Sequence, residues 1–157
     1  MKKLFLIFIL MIPVLNVFPQ TKGIETGLYI VIPKDSCSKQ ENVYKIAYQS
    51  DTLCIKHKPI ITVKDIESCF TDSTKLDGKK AYALNIKLKK SATEKFKTIT
   101  KENVGKRIAM IIDKKVVMAP ILKDPIITGR LTVSGEKGPL LKEMGMKLNM
   151  ELKKTKK

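Results

Sequence analysis

Arg107–Asp113 (RIAMIID) is the segment that most narrows what this chain can become. Its apolar residues follow one another without alternation and are too few for a stable isolated helix, so they read as a strand covered on both faces. Such a strand cannot form the outer wall of a small domain. The rest of the chain must supply a layer on each side of it.

The neighbouring patterns supply those layers. Ala81–Leu88 alternates, with Tyr82, Leu84, Ile86 and Leu88 on one face, which predicts a half-buried strand. Thr26–Pro33 (TGLYIVIP) is rich in β-branched residues and reads as a strand, as does Arg130–Ser134. Val43–Gln49 and Thr52–Lys56 flank Ser50-Asp51 and predict a hairpin with Ile46, Tyr48, Leu53 and Ile55 on one face. Lys114-Lys115 reads as a turn, after which Val116–Leu122 runs back along the central strand, and Pro120 marks its end as an edge or bulge.

Helical signals are fewer. Ser91-Ala-Thr-Glu94 resembles a capping box opening a helix with Phe96 and Ile99 inward, closed by Asn103 and Gly105. Gly138-Pro139 opens the last helix, whose stripe is Leu140, Met144, Leu148 and Leu152, widened by Leu141. Thr62-Val-Lys-Asp65 is a second capping box and predicts a short helix carrying Ile66, Cys69 and Phe70, with Thr71–Lys80 as a polar loop around Asp77-Gly78. No βαβ repeat runs through the chain. The expected class is α+β, an antiparallel or mixed sheet with helices packed on one face. A soft boundary in Thr71–Lys80 divides residues 24–75, strands and a short helix, from residues 76–157, an α+β unit with a basic tail, and one core can serve both.

The 157 residues suffice for one domain with a real core. Lys2 and Lys3 precede an apolar run from Leu4 to Leu15 that is shorter than a bilayer-spanning helix. Residues 1–23 read as a secretory signal peptide cleaved within Val17–Gly23, or else as an uncleaved N-terminal anchor. The expected location is exported, periplasmic or secreted. Residues 1–23 hold three lysines and no acid, so the net charge of +16 falls to +13 without them. All the basic residues but Arg107 and Arg130 are lysines, spread along the chain. That composition suits a solvated surface and weak attraction to anionic membrane or acidic polypeptide better than nucleic-acid recognition, which favours arginine. No nucleic-acid partner is expected.

Cys37, Cys54 and Cys69 are three thiols in an exported chain, which allows one disulfide and leaves one cysteine over. Cys37 with Cys54 is the favoured pair because Cys69 falls on an expected buried face. An alternative is a thiol- or zinc-dependent enzyme built on Cys37, Cys54, His57 and Cys69, resting on the spacing Cys54-x-x-His57. No catalytic, metal or cofactor residue is otherwise indicated: neither phosphate-binding glycine motif occurs, and the acids are scattered. Met144, Met146 and Met150 on the last helix could form an adaptable binding face, with Met144 the best suited to the core.

The stretch Phe96–Gly135 carries an ordered pattern: Phe96, Thr100, Asn103, Gly105, Lys106, the Ala109–Asp113 strand, Val116, Ala119-Pro120, Ile126, Gly129 and Val133-Ser134-Gly135. It resembles the first periplasmic (P1) head subdomain of SecD and SecDF, the accessory subunit of the Sec protein-export machinery, and Pro59–Phe70 resembles the region preceding it. The resemblance covers about residues 59–152. Lys114 stands where that family usually has glycine, and Glu136-Lys137 replaces its Phe-Thr pair. It implies the family fold for residues 76–157 and contact with extended polypeptide, or with a protein partner such as the Sec machinery.

The residues also have a reading of their own. Asn103, Gly105, Asp113, Gly129 and Gly135 suit turns. Val116, Val117, Ala119, Pro120, Ile121 and Ile126 outline a strand edge to which a peptide could add. The functional expectation is an exported, non-enzymatic binding or accessory domain, with a secreted structural or inhibitory domain as a further alternative.

Overall fold

The structure, a computed structural model, describes residues 23–37, 43–76, 79–135 and 138–156. The signal-peptide or anchor reading of residues 1–23 falls almost wholly outside them. Every strand pairing among the described residues is antiparallel, and they form two sheets.

The larger sheet has the order β2–β3–β1–β7–β8: Val43–Tyr48, Asp51–Lys56, Gly27–Ile32, Ile108–Ile112 and Lys115–Met118. A short β4, Ile61–Thr62, also pairs with β1. β1 and β7 lie side by side at the centre, and every residue of both is buried. The unbroken apolar run of β7 is satisfied by a core on each face. One core gathers Leu28, Ile30, Ile108, Met110 and Ile112 against the second sheet and the long helices. The other holds Tyr29, Val31, Ile46, Leu53, Ile55, Ala109 and Ile111, and half-buried Tyr44, Tyr48 and Val116 close over it. The sheet curls enough that β2 and β8 approach one another without pairing.

The second sheet is β5–β6–β9: Ile66–Leu76, Lys79–Leu88 and Arg130–Gly135. The 13-residue α2, Lys90–Glu102, buries Ala92, Phe96 and Thr100. The 18-residue α3, Gly138–Thr155, packs across β5 and β6 and buries Leu141, Met144, Leu148 and Leu152. Among the described residues no helix is long and apolar enough to cross a membrane.

Several sequence expectations are corrected. Residues 66–76 are the strand β5, not a helix followed by a loop. Thr62 N–H and Oγ1 both donate to Asp65 Oδ2, at 2.8 and 2.9 Å, but they organise only a single 3₁₀ turn, Val63–Asp65. Cross-strand pairing with β6 then overrides the helical spacing, with a register irregularity at Ile66/Ser68 that puts Cys69 opposite Ile86. Residues 75 and 76 therefore lie within a paired strand, and the first core draws on residues from both sides of the expected boundary. α2 begins at Lys90, with Lys89 at its N-cap, so Ser91 lies inside the helix and caps nothing. The turn after β7 is Asp113-Lys114, with φ of 49° and 62°, and Lys115 already belongs to β8. The first hairpin turns at Gln49-Ser50, and Asp51 opens β3.

A short helix α1, Lys34–Cys37, ends in the disulfide Cys37–Cys54, whose Cα atoms are 5.9 Å apart. Ile32 packs beside the bridge. Cys69 is free and buried, with Sγ 4.0 Å from the Gly145 carbonyl on α3. Burial pushes its thiol up to about 11.

Candidate functional site

The site is built where the two sheets present their open edges. β8 ends the larger sheet and β9 ends the smaller one. β8 stops at Met118 because Pro120 has no N–H to continue the ladder. The chain nevertheless stays against the entry to β7. Arg107 Nε donates to Ala119 O at 2.8 Å, Ile108 N–H to Pro120 O at 3.0 Å, and Leu122 N–H to Lys106 O at 2.8 Å. Gly105, at φ +84°, donates its N–H to Leu122 O at 2.8 Å. Thr100, fully buried on α2, accepts the Ile126 N–H at 3.0 Å and pins the far end of the loop.

These tethers hold residues 119–127 open over an apolar cleft of about 480 Å³. Phe96, Ile108, Met118, Leu122, Leu131 and Val133 line it, with Ile126 along one side and Pro120, Ile121, Lys123, Asp124 and Arg130 about its mouth. Ile121 and Ile127 stand 60% and 61% exposed beside it, an apolar pair that loop folding leaves in water.

The β9 edge faces the same opening. Leu88 N–H donates to Gly129 O at 2.8 Å, so by the two-residue period Leu131 and Val133 bond towards β6. Thr132 and Ser134 then turn their main-chain groups outward, where a further strand could pair with them. Gly129 starts this edge at φ +64°, where a Cβ would strike the Thr93 side chain. Strand-like main-chain donors and acceptors beside an apolar groove can take up an extended chain, bonding its backbone and burying alternate side chains.

Only part of the residue set expected from sequence reaches this cleft. Pro120, Ile121 and Ile126 line it. Val117 packs on the first core, Val116 on the second, and Ala119 is buried in the second. Gly135 pairs with Tyr82 at the end of β9. Asn103 caps α2, its Nδ2 donating to Ile99 O at 2.7 Å. The sequence predicts Phe96 inward and Arg130–Ser134 as a strand, but marks neither these nor Met118 as lining a site. The alternation Leu131, Val133 was visible, but sheet order decides which strand is an edge.

The thiol or zinc arrangement is not assembled. Cys37 and Cys54 are spent in the disulfide, Cys69 is buried in the first core, and His57 stacks on Tyr44 with ring centroids 4.3 Å apart. Among the described residues no group of His, Cys, Asp and Glu could hold a metal ion.

The family model described as "SecDF, P1 head subdomain" matches residues 40–140. Protein translocase subunit SecD of Aquifex aeolicus (strain VF5) is 36% identical over 83 residues, 50% of this chain and 16% of that protein. Protein translocase subunit SecD of Thermobaculum terrenum is 36% identical over 76 residues, 48% of this chain and 14% of that protein. This chain thus spans a small fraction of the curated relatives it matches. A solved structure of "a membrane component SecDF that enhances protein export" superposes with a TM-score of 0.55 at 16% identity, covering 80% of this chain and 63% of that one, and shares its fold.

Proposed function

The chain belongs to the SecDF P1 head subdomain family, and on that premise we propose that it is an exported, non-enzymatic accessory domain of protein export that holds extended polypeptide in the cleft between β8 and β9. The observation that carries this reading is the open β9 edge set beside an apolar cleft of about 480 Å³. Main-chain bonding at Thr132 and Ser134 would be indifferent to sequence, and the groove would favour apolar side chains at alternate positions. A chain in transit is such a ligand. The domain works outside the cytoplasm, and its protein partners are passenger chains or components of the Sec machinery. No reacting group is required.

The experiment is photo-crosslinking in cells, with the full chain carrying the probe at Ile121 and, as a control, at Lys97 on the exposed side of α2. Capture of many unrelated exported chains from Ile121 but not Lys97, weakened by Ile126→Asp, is the expected result. One dominant folded protein captured from Ile121, or equal capture from both positions, would overturn the reading.

A further inference from the structure

At another place on the molecule, Lys64, Lys114 and Lys154 converge on a second cavity of about 560 Å³. They come from three elements: the 3₁₀ turn, the β7–β8 turn and the end of α3. All three lysines are exposed, and among the described residues none is in an ion pair. Three acids share the lining: Asp113 is paired with Lys147 at 2.6 Å, whereas Glu151, which accepts from the neutral Thr26 Oγ1 at 2.9 Å, keeps its charge, so the three lysines outnumber the lining acids without a cationic partner by one. Glu25 is the third. Met146 and Met150 precede Lys154 at four-residue intervals on α3, so the three form one stripe, and both methionines are exposed.

The chain enters the described fold at this cavity, since Ile24, Glu25 and Thr26 line it. The apolar run Leu4–Leu15 ends shortly upstream. The stretch Asn16–Lys22 can span at most about 25 Å. A bilayer that took up Leu4–Leu15 would therefore lie close to this face of the domain.

We infer that this face is a docking surface for an anionic phospholipid bilayer. The lysine ammoniums take lipid phosphates, and Met146 and Met150 enter the headgroup region beside them. The charge is of the right sign on a chain of net +16, and apolar side chains between lysines are what an interfacial surface needs. The inference stands apart from the polypeptide cleft.

The test is co-sedimentation of the full chain with vesicles of phosphatidylcholine alone and with phosphatidylglycerol added. The difference between the two vesicle types removes whatever Leu4–Leu15 contributes. Lysine at an anionic surface counts for roughly fivefold in affinity each, so Lys64→Gln/Lys114→Gln/Lys154→Gln should lose about 100-fold on anionic vesicles and little on neutral ones. The control Lys95→Gln/Lys97→Gln/Lys101→Gln on α2 removes equal charge and should lose far less. Equal losses in the two triples would reduce the effect to net charge and overturn the inference. So would a wild-type chain that does not distinguish the vesicles, or one whose Lys64, Lys114 and Lys154 serve polyglutamate in preference to anionic vesicles.

Discussion

Asp113 Oδ2 lies 2.6 Å from Lys147 Nζ, joining the apex of the β7–β8 turn to the middle of α3. Glu143, one turn earlier on α3, shares the same ammonium at 3.0 Å. The contact ties the central strand of one sheet to the helix that covers the other.

The hydrogen bond from Lys147, with its charge behind it, holds the Asp113 carboxyl below the usual carboxylate range, and the same bond raises Lys147. A depressed acid contributes stability above its unfolded value, and the contribution vanishes as pH falls through the folded one. A raised lysine contributes below its unfolded value and loses the contribution as pH rises through the folded one. Lys147→Gln should therefore melt below the wild type at neutral pH, and the gap should close as acid protonates the Asp113 carboxyl in both states. Melting curves across pH check this, and a gap unchanged in acid would deny the pairing any role.

Lys114 sits at φ 62° in a two-residue hairpin turn where L side chains are strained. Lys114→Gly should stabilise the fold by about 0.5–1 kcal/mol, the relief of strain exceeding the added freedom of the unfolded chain. Urea unfolding reads this directly. An unchanged or lower midpoint would mean that the lysine side chain supplies something the turn geometry does not reveal.

At Gly145 a Cβ would collide with Thr71 Oγ1 and come within 3.3 Å of Leu84 Cδ1. Gly145→Ala should destabilise through overpacking, by about 1–3 kcal/mol less the helix-propensity gain of about 1 kcal/mol. Adding Thr71→Ala makes the room. A double-mutant cycle should thus show coupling of about 1–2 kcal/mol, and additivity would refute the close approach.

The Cys37–Cys54 bridge closes a sequence separation of 17 residues. Cys37→Ser/Cys54→Ser should lose about 3 kcal/mol, chiefly because the unfolded chain regains the loop's freedom. Reductant should shift wild-type urea unfolding to match the double variant and leave that variant alone. Identical midpoints with and without reductant would sink the idea.

Burial pushes Cys69 up to about 11 and Tyr29 up to about 12. Both are acids kept neutral by the fold and ionise sooner when unfolded. Their contribution is whole below about pH 9 and drains away as pH climbs towards 12. Tyr29→Phe should flatten the alkaline limb of the stability curve, at a cost of about 1 kcal/mol for the lost bond to Glu25 O. A limb equally steep in the variant would mean that other groups govern alkaline unfolding.

Much of this architecture follows from sequence alone, because it depends on local period. The unbroken run Ile108–Ile112 demanded cover on both faces, the alternation Tyr82–Leu88 marked a one-sided strand, and the stripe Leu140, Met144, Leu148, Leu152, widened by Leu141, set the buried side of α3, although Leu141 is buried and Leu140 only partly so. Burial acts on each of these segments separately, so spacing is enough. What depends on which segments meet was decided by the tertiary structure. The capping signal at Thr62–Asp65 formed as written, yet residues 66–76 became a strand because β6 offered a continuous ladder. Likewise, Asp113 gained Lys147 from 34 residues away, and β9 became an open edge beside a cleft through sheet order alone. Local propensities differ by only about 1 kcal/mol per residue, and the long-range pairing and burial that override them cannot be read from any one segment.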